Sequence, residues 1–152
     1  MSYVQHVLQP GEDIRHTANV HWIIFMPGMI LLLVAVVIFF MAETGSSGRS
    51  FWLIVAAALA LIAFAQLFHG WFIRWTTEVA VTNRRIIFKQ GFIRRNTVEM
   101  HMDKVESVDV EQSILGRLFD YGDVYVRGTG TGLEPLRNVA KPLELRNHIT
   151  GM

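Results

Sequence analysis

One run of the chain is rich in side chains that bind anions. Five basic residues fall within twelve positions with no acidic residue between them: Arg84, Arg85, Lys89, Arg94 and Arg95. Gln90-Gly91 favours a tight hairpin turn, so these charges are expected to gather on one ribbon. Each cation near an anionic leaflet contributes about 1 kcal/mol of attraction, and the ribbon is therefore a predicted contact for lipid headgroups or for a protein partner. The alternative is a solvated basic flank that only sets the orientation of the chain in a membrane.

Histidines and acidic residues suggest two candidate metal sites. In a helical hairpin, His21 and His69 would lie near the same interface and could together ligate haem or a metal ion. Two helices cover little of a macrocycle, however, and we interpret both histidines as polar residues of the headgroup zone. Glu99, His101 and Asp103 alternate along one expected strand, and we interpret them as a solvated face. We therefore expect neither a metal nor a cofactor.

The remaining candidates for catalysis have simpler structural interpretations. The G-x-G-x-G run at 128–132 lacks the strand, glycine and helix order of a dinucleotide fingerprint, and a turn or bulge is expected. Ser113 has no nucleophile-elbow spacing and suits the start of a helical turn. Arg117 is expected to pair with Asp120. With no cysteine in the chain, thiolate chemistry is excluded as well, and we expect no enzymatic activity.

The elements that carry these residues begin with two apolar segments. Residues 22–42 contain no charge and as a helix would measure roughly 31 Å, about the thickness of a bilayer core. Residues 50–73 form a second uncharged stretch of similar length. The link at 43–49 is so short that the two helices must form an antiparallel hairpin. The sequence thus predicts two transmembrane spans, in agreement with 51% apolar and only 18% charged residues.

The flanking charges predict the orientation of this hairpin. Arg49 is the one basic residue of the link, whereas five lie on the other side: Arg15, Arg74, Arg84, Arg85 and Lys89. Because positive flanks resist translocation, both termini are expected in the cytoplasm. The expected organisation is a cytoplasmic segment at 1–21, a transmembrane hairpin at 22–75 and a cytoplasmic domain at 76–152.

The last 77 residues are predicted to be mainly β-structure. Short alternating segments separated by turn residues replace the continuous apolar runs. A helical turn is expected at 113–119 and a short C-terminal helix from Pro142. Six strands are expected, at 78–82, 85–89, 97–102, around 108–110, at 124–127 and at 133–139.

Several segments of the chain resemble one family. Residues 76–95, TTEVAVTNRRIIFKQGFIRR, and 105–130, VESVDVEQSILGRLFDYGDVYVRGTG, are similar to the bacterial pleckstrin-homology proteins often called YdbS-like PH domain proteins. LQPGEDI at 8–14 and His21-Trp22 resemble the segment that precedes the membrane helices in that family. QSILGRLFDYG at 112–122 is the most specific part. The resemblance implies two transmembrane helices followed by a PH-like open barrel capped by a short C-terminal helix. A complete PH barrel has seven strands, so the barrel is either open or takes a strand from 13–20.

The resemblance implies a bacterial inner-membrane protein without catalytic residues. We expect a scaffold that presents its cytoplasmic PH-like domain for protein interaction or membrane-complex assembly. Two alternatives remain open: sensing of anionic lipid headgroups by the basic hairpin, and a role as accessory subunit of a larger integral complex. The expected partners are membrane lipid and either another protein or a second copy of the chain. A net charge of only +1 argues against a general nucleic-acid binder.

Overall fold

The computed structural model describes residues 7–44, 48–91, 96–129 and 135–151, and the chain divides into two compact units. Trp22–Phe72 forms a helical unit. Met1–His21 and Ile73–Met152 together form a β-rich unit, which we call the strand unit. The N-terminal segment therefore folds with the C-terminal half of the chain.

The helical unit contains the two expected helices. A short 3-10 turn at Trp22–Phe25 leads into α1 (Met26–Thr44), and α2 spans Arg49–Thr76. Both are long and apolar enough to cross a bilayer, by length and composition. Gly28 packs on Leu67 so closely that a Cβ there would lie 2.9 Å from the leucine side chain. Because Gly28 lies near the start of α1 and Leu67 near the end of α2, the helices run antiparallel.

The strand unit contains a four-stranded and a three-stranded antiparallel sheet. The first has the order β1-β2-β3-β4, with β1 at Ile14–Ala18, β2 at Glu78–Thr82, β3 at Arg85–Gln90 and β4 at Asn96–His101. The second has the order β5-β6-β7, with β5 at Val105–Glu111, β6 at Tyr121–Gly128 and β7 at Leu136–Ala140. A short helix, α3 (Ile114–Phe119), joins β5 to β6, and α4 (Pro142–Thr150) follows β7.

The seventh strand comes from the N-terminal segment. β1 pairs with β2, so that Ala18 lies opposite Val79, and Val20 bridges to Val139 of β7. The described strands form two sheets that are not joined into a closed barrel, which confirms the expected PH-like open barrel.

One apolar core fills the space between the sheets and α4. Alternate residues of β3 and β6 point into it, since the side-chain period of a strand is two residues. α4 covers it with Leu145 and Ile149, as their spacing of four residues predicts. The core includes Ala18, Val79, Val81, Ile86, Phe88, Met100, Val124, Val126, Leu136, Val139, Leu145 and Ile149.

Candidate functional site

The fold separates basic residues that are close in sequence. Arg84 directly precedes β3 and Arg85 begins it, whereas Lys89 lies near the end of the strand. At about 3.3 Å per residue, the five steps from Arg84 to Lys89 span roughly 16 Å. Arg94 and Arg95 lie outside the described residues. The described cations of this run therefore lie at opposite ends of the first sheet.

The two ends of the first sheet differ in their connection to the helices. Glu78 begins β2 two residues after α2 and lies opposite Lys89 in the register. Ala18, at the end of β1, lies opposite Val79 at the same end. We call this the helix-linked end, and the end that carries Arg84 and Arg85 the distal end.

At the distal end, the Arg85 side chain is buried among acidic and backbone acceptors. Its Nε and Nη2 donate to the two carboxylate oxygens of Glu12 at 2.9 and 2.8 Å. Nη1 donates to Glu99 at 2.7 Å, and Nη2 also donates to the carbonyl of Val7 at 2.9 Å. Arg85 is only 7% exposed and Glu12 6%. The guanidinium is therefore held by protein groups and does not present its charge at the surface.

The Glu12 carboxylate also accepts several hydrogen bonds. Besides Arg85, the Thr82 hydroxyl donates to it at 2.7 Å and the Gln9 backbone N–H at 2.9 Å. Burial alone would raise the pKa of Glu12, but the hydrogen bonds from Arg85, Gln9 and Thr82 and the arginine charge outweigh it and lower the pKa to about 2. The hydrogen bonds to Glu12 likewise raise the pKa of Arg85. The pair is ionised on both sides.

A second set of contacts holds the same segment beside the β2–β3 turn. The Asn83 backbone N–H donates to the Asp13 carbonyl at 3.1 Å, and the Asp13 N–H donates to Asn83 Oδ1 at 3.2 Å. Asn83 Nδ2 donates to the carbonyl of Gly11 at 3.3 Å. Gly11 has φ +79°, a left-handed conformation that glycine adopts without strain. Two of the motifs that carry the family resemblance, LQPGEDI and TNRR, thus bind each other.

This arrangement, which we call the Glu12–Arg85 clasp, stabilises the fold and offers no open ligand site. Both side chains are buried, and every nitrogen of the guanidinium already has an acceptor. Sequence reasoning missed the clasp because 73 residues and two helices separate its partners. One signal was present: Glu12 and Asp13 are the only acidic residues before Glu43.

The exposed basic residues are fewer than the sequence suggested. Arg84 is exposed at the distal end, and Lys89 is half-buried at the helix-linked end. Whether these side chains contact lipid or a partner stays a prediction.

The two histidine candidates belong to different units, and the acidic candidates lie in different local settings. The His21 ring stacks on Tyr121 with ring centroids 5.3 Å apart, and His69 belongs to α2 of the helical unit. Glu99 binds Arg85, and Asp103 lies in a 3-10 turn at Met102–Lys104 rather than on the strand. Among the described residues, no group of three histidine, cysteine or acidic side chains could hold a metal ion.

Of the other candidates, Ser113 and Gly128 have structural roles. The Ser113 hydroxyl accepts from the Gly116 N–H at 3.0 Å and caps α3, as expected. Arg117 and Asp120 form no ion pair in the part of the chain that the structure describes, so that expectation was wrong; both are exposed. Gly128 ends β6, where a Cβ would lie 2.6 Å from the Lys104 carbonyl, while Gly130 and Gly132 lie outside the described residues.

Comparison with known proteins agrees with this architecture. Residues 22–152 match the family described as Bacterial PH domain. The match covers both helices and every strand except β1. No curated protein and no solved structure matches the chain.

Proposed function

This chain belongs to the bacterial PH domain family, and from that membership we propose that it is a non-enzymatic protein of the bacterial inner membrane. In this proposal, the two helices anchor a PH-like unit that serves protein interaction or the assembly of a membrane complex on the cytoplasmic side. PH domains are typically interaction modules, which supports binding rather than catalysis.

The pairing of β1 with β2 is the observation that carries the proposal. β1 precedes the helical unit and β2 follows it, yet the two strands are hydrogen-bonded neighbours. A chain that crosses a bilayer in α1 and again in α2 must therefore begin and end its hairpin on the same side. Helices of this length and apolar composition would have lipid as their natural solvent.

The cytoplasmic side is supported by the basic residues that flank the helices. Arg15 and Arg74 belong to the strand unit, as do the three described basic residues of β3 and its turn. On the other side, Arg49 is the one basic residue beside the link, and it pairs with Glu43 at 2.6 Å. The excess of positive charge beside the strand unit favours its retention in the cytoplasm.

Reporter fusions test this topology. Green fluorescent protein fused to either terminus should fluoresce in living cells, and alkaline phosphatase inserted at residue 46 should be active. The protein should also resist extraction by alkaline carbonate. Active phosphatase at either terminus, or release of the protein by carbonate, would contradict the proposal.

The edge of the second sheet supports a protein-binding role. Among the described strands, β5 lies at an edge of its sheet, and edge strands can pair with an extended peptide through their backbone groups. A photo-crosslinker at the exposed position of Glu106 on β5 should give one discrete adduct in cells. The matched control is a crosslinker at Arg127, which is exposed on the central strand β6. The same adducts from both positions, or none from Glu106, would argue against strand addition at this edge.

Anionic-lipid binding is a second candidate, favoured by the position of Lys89 at the helix-linked end. Arg84 at the distal end is the matched control, because each substitution removes one positive charge at opposite ends of one strand. The full chain, labelled with a dye at residue 97, would be reconstituted in vesicles with and without anionic lipid. Lys89→Gln should weaken quenching by headgroup-bound quenchers, and Arg84→Gln should not. Equal responses would rule out this candidate.

A further inference from the structure

The short helix α3 exposes apolar side chains on the surface of the strand unit. Ile114 is 89% exposed, Leu118 74% and Leu115 54%. Large aliphatic side chains occur mostly in protein interiors, and a contiguous exposed group of them marks an interaction surface. We call this group the α3 apolar face.

The residues around α3 hold the helix in place through hydrogen bonds and close backbone packing. The Gln112 side chain donates to the carbonyls of Gly116 and Tyr121 at 3.3 and 3.1 Å. Gly116 lies so close to Tyr121 that a Cβ would stand 2.6 Å from its carbonyl oxygen. Asp120 ends α3 in a left-handed conformation, and its carbonyl accepts from the Lys141 N–H at 2.9 Å. The helix is thus held firmly with its apolar side chains outward.

A positive charge accompanies the α3 apolar face. Arg117 lies on the same short helix, is exposed and forms no ion pair within the described residues. An aliphatic surface with an adjacent guanidinium complements the boundary between acyl chains and anionic headgroups.

Within the strand unit, α3 lies near the residue that precedes the first apolar segment. Tyr121 follows α3 by two residues, and its ring stacks on His21. The backbone N–H of His21 also donates to the Asn138 carbonyl at 2.7 Å. His21 is the last residue of the strand unit before Trp22, and α3 itself is only about 9 Å long. The chain therefore runs from a residue that contacts the end of the α3 segment directly into the first apolar segment.

We propose that α3 is a membrane-docking element, which inserts Ile114, Leu115 and Leu118 into the interface of the bilayer that the helices span. The proposal rests on the membrane anchor proposed above and goes beyond it, because it assigns a lipid contact to the strand unit itself. The contact is mainly apolar, unlike a headgroup site formed by the basic residues of β3. Docking through α3 fixes the orientation of the sheets and of their edges relative to the membrane.

The absence of native cysteine makes a direct test simple. The full chain carrying Leu118→Cys would be labelled with an environment-sensitive dye and reconstituted in lipid vesicles. The matched control is Arg127→Cys, at the opposite end of β6, roughly 20 Å from Tyr121 along the strand. We expect the dye at residue 118 to shift to the blue and to be quenched by lipids with spin labels on shallow acyl carbons, and the dye at residue 127 to do neither.

A substitution on the same face provides a second measurement. Ile114→Ser in the Leu118→Cys background should reduce the ratio of docked to undocked protein about tenfold, since one large aliphatic side chain is lost from the lipid contact. Arg117→Gln should weaken docking only in vesicles that contain anionic lipid.

The outcomes separate docking from anchoring. Protein that carbonate releases from the vesicles would overturn the anchor and the docking element together. Protein that stays in the vesicles while residue 118 reports water would overturn the docking element alone. A blue shift without lipid quenching would also overturn it, because that result indicates a protein occupant such as a second copy of the chain.

Discussion

Charged side chains usually lie at a protein's surface and aliphatic side chains in its interior. The Glu12–Arg85 clasp departs from the first rule, and the α3 apolar face departs from the second. The clasp buries two full charges, which is costly unless each has several partners. The α3 apolar face leaves three large aliphatic side chains in solvent, although burial would stabilise them. Both regions belong to the strand unit.

The difference between them lies in their internal contacts. In the clasp, Glu12 and Arg85 bind each other, and their remaining polar atoms bind Thr82, Glu99 and the backbone. Among the described residues, the three aliphatic side chains of the α3 apolar face remain more than half exposed, although hydrogen bonds hold the helix beneath them. The contacts of the clasp stabilise the fold, whereas the exposed aliphatic side chains of α3 are the basis of the proposed contact with the bilayer. Substitutions should therefore affect stability strongly in the clasp and weakly on the face.

The largest effect is expected from Glu12→Ala. This change leaves the Arg85 guanidinium buried without its main partner, which should lower the free energy of unfolding by about 3–5 kcal/mol. Hydrogen exchange of the β3 amides in the detergent-solubilised chain measures the loss. Asp13→Asn removes the same charge from the neighbouring exposed residue and should cost less than about 0.5 kcal/mol. Similar losses for both variants would mean that the clasp is not a stabilising element.

A somewhat smaller effect is expected from acid. The pKa of Glu12 is about 2 in the folded chain, against 4.5 for the unperturbed group. A lowered pKa stabilises the fold above the unfolded value, so the contribution of about 3 kcal/mol should be complete above pH 4.5 and lost as the pH falls towards 2. Unfolding titrations of the wild type and Glu12→Gln at several pH values measure it. Their stability difference should shrink over this range, and a constant difference would contradict the assignment.

Gly116→Ala tests the base of the α3 apolar face. The new methyl group would approach the Tyr121 carbonyl oxygen to 2.6 Å, and the resulting shift of the backbone should cost about 1–3 kcal/mol. Thermal unfolding of the solubilised chain measures this loss. Leu115→Ala, on the exposed side of the same helix, is the control and should change the midpoint little. If Gly116→Ala is tolerated as well as Leu115→Ala, α3 is not held as firmly as its contacts indicate.

The smallest effect on stability is expected on the α3 apolar face itself. Leu118→Ser removes a side chain that is 74% exposed and should change the free energy of unfolding by less than about 0.5 kcal/mol in detergent. Leu145→Ala in the core should cost about 2–5 kcal/mol in the same assay. A loss at Leu118 comparable to that at Leu145 would show that α3 supports the fold rather than an external contact.

Local patterns in the sequence predicted the elements of this protein well. Two uncharged segments predicted α1 and α2, and alternation predicted the strands of the C-terminal half. Ser113 was identified as a helix cap from its residue type and from the apolar spacing that follows it. These features depend on neighbours within a few residues, which a single sequence displays directly.

Patterns that depend on distant partners were predicted less well. The sequence analysis grouped Arg85 with Arg84 and Lys89 because they are close in sequence. Glu12, 73 positions away, binds the Arg85 side chain in the interior, so its charge is not at the surface. The expected Arg117–Asp120 pair was wrong for a local reason: α3 ends at Phe119, and Asp120 adopts a left-handed conformation.

The amino-acid sequence by itself determined the two apolar helices, the change to β-structure after residue 76 and the family resemblance. The helices and the change to β-structure follow from hydrophobic periodicity and local turn chemistry, which act over a few residues, whereas the resemblance depends on the particular residues of the segments that carry it. Only the tertiary structure decided that the N-terminal segment supplies β1 and that Glu12 neutralises Arg85. It also decided that the apolar residues of α3 face outward. Burial and pairing depend on which distant segments meet, and that information emerges only when the chain has folded.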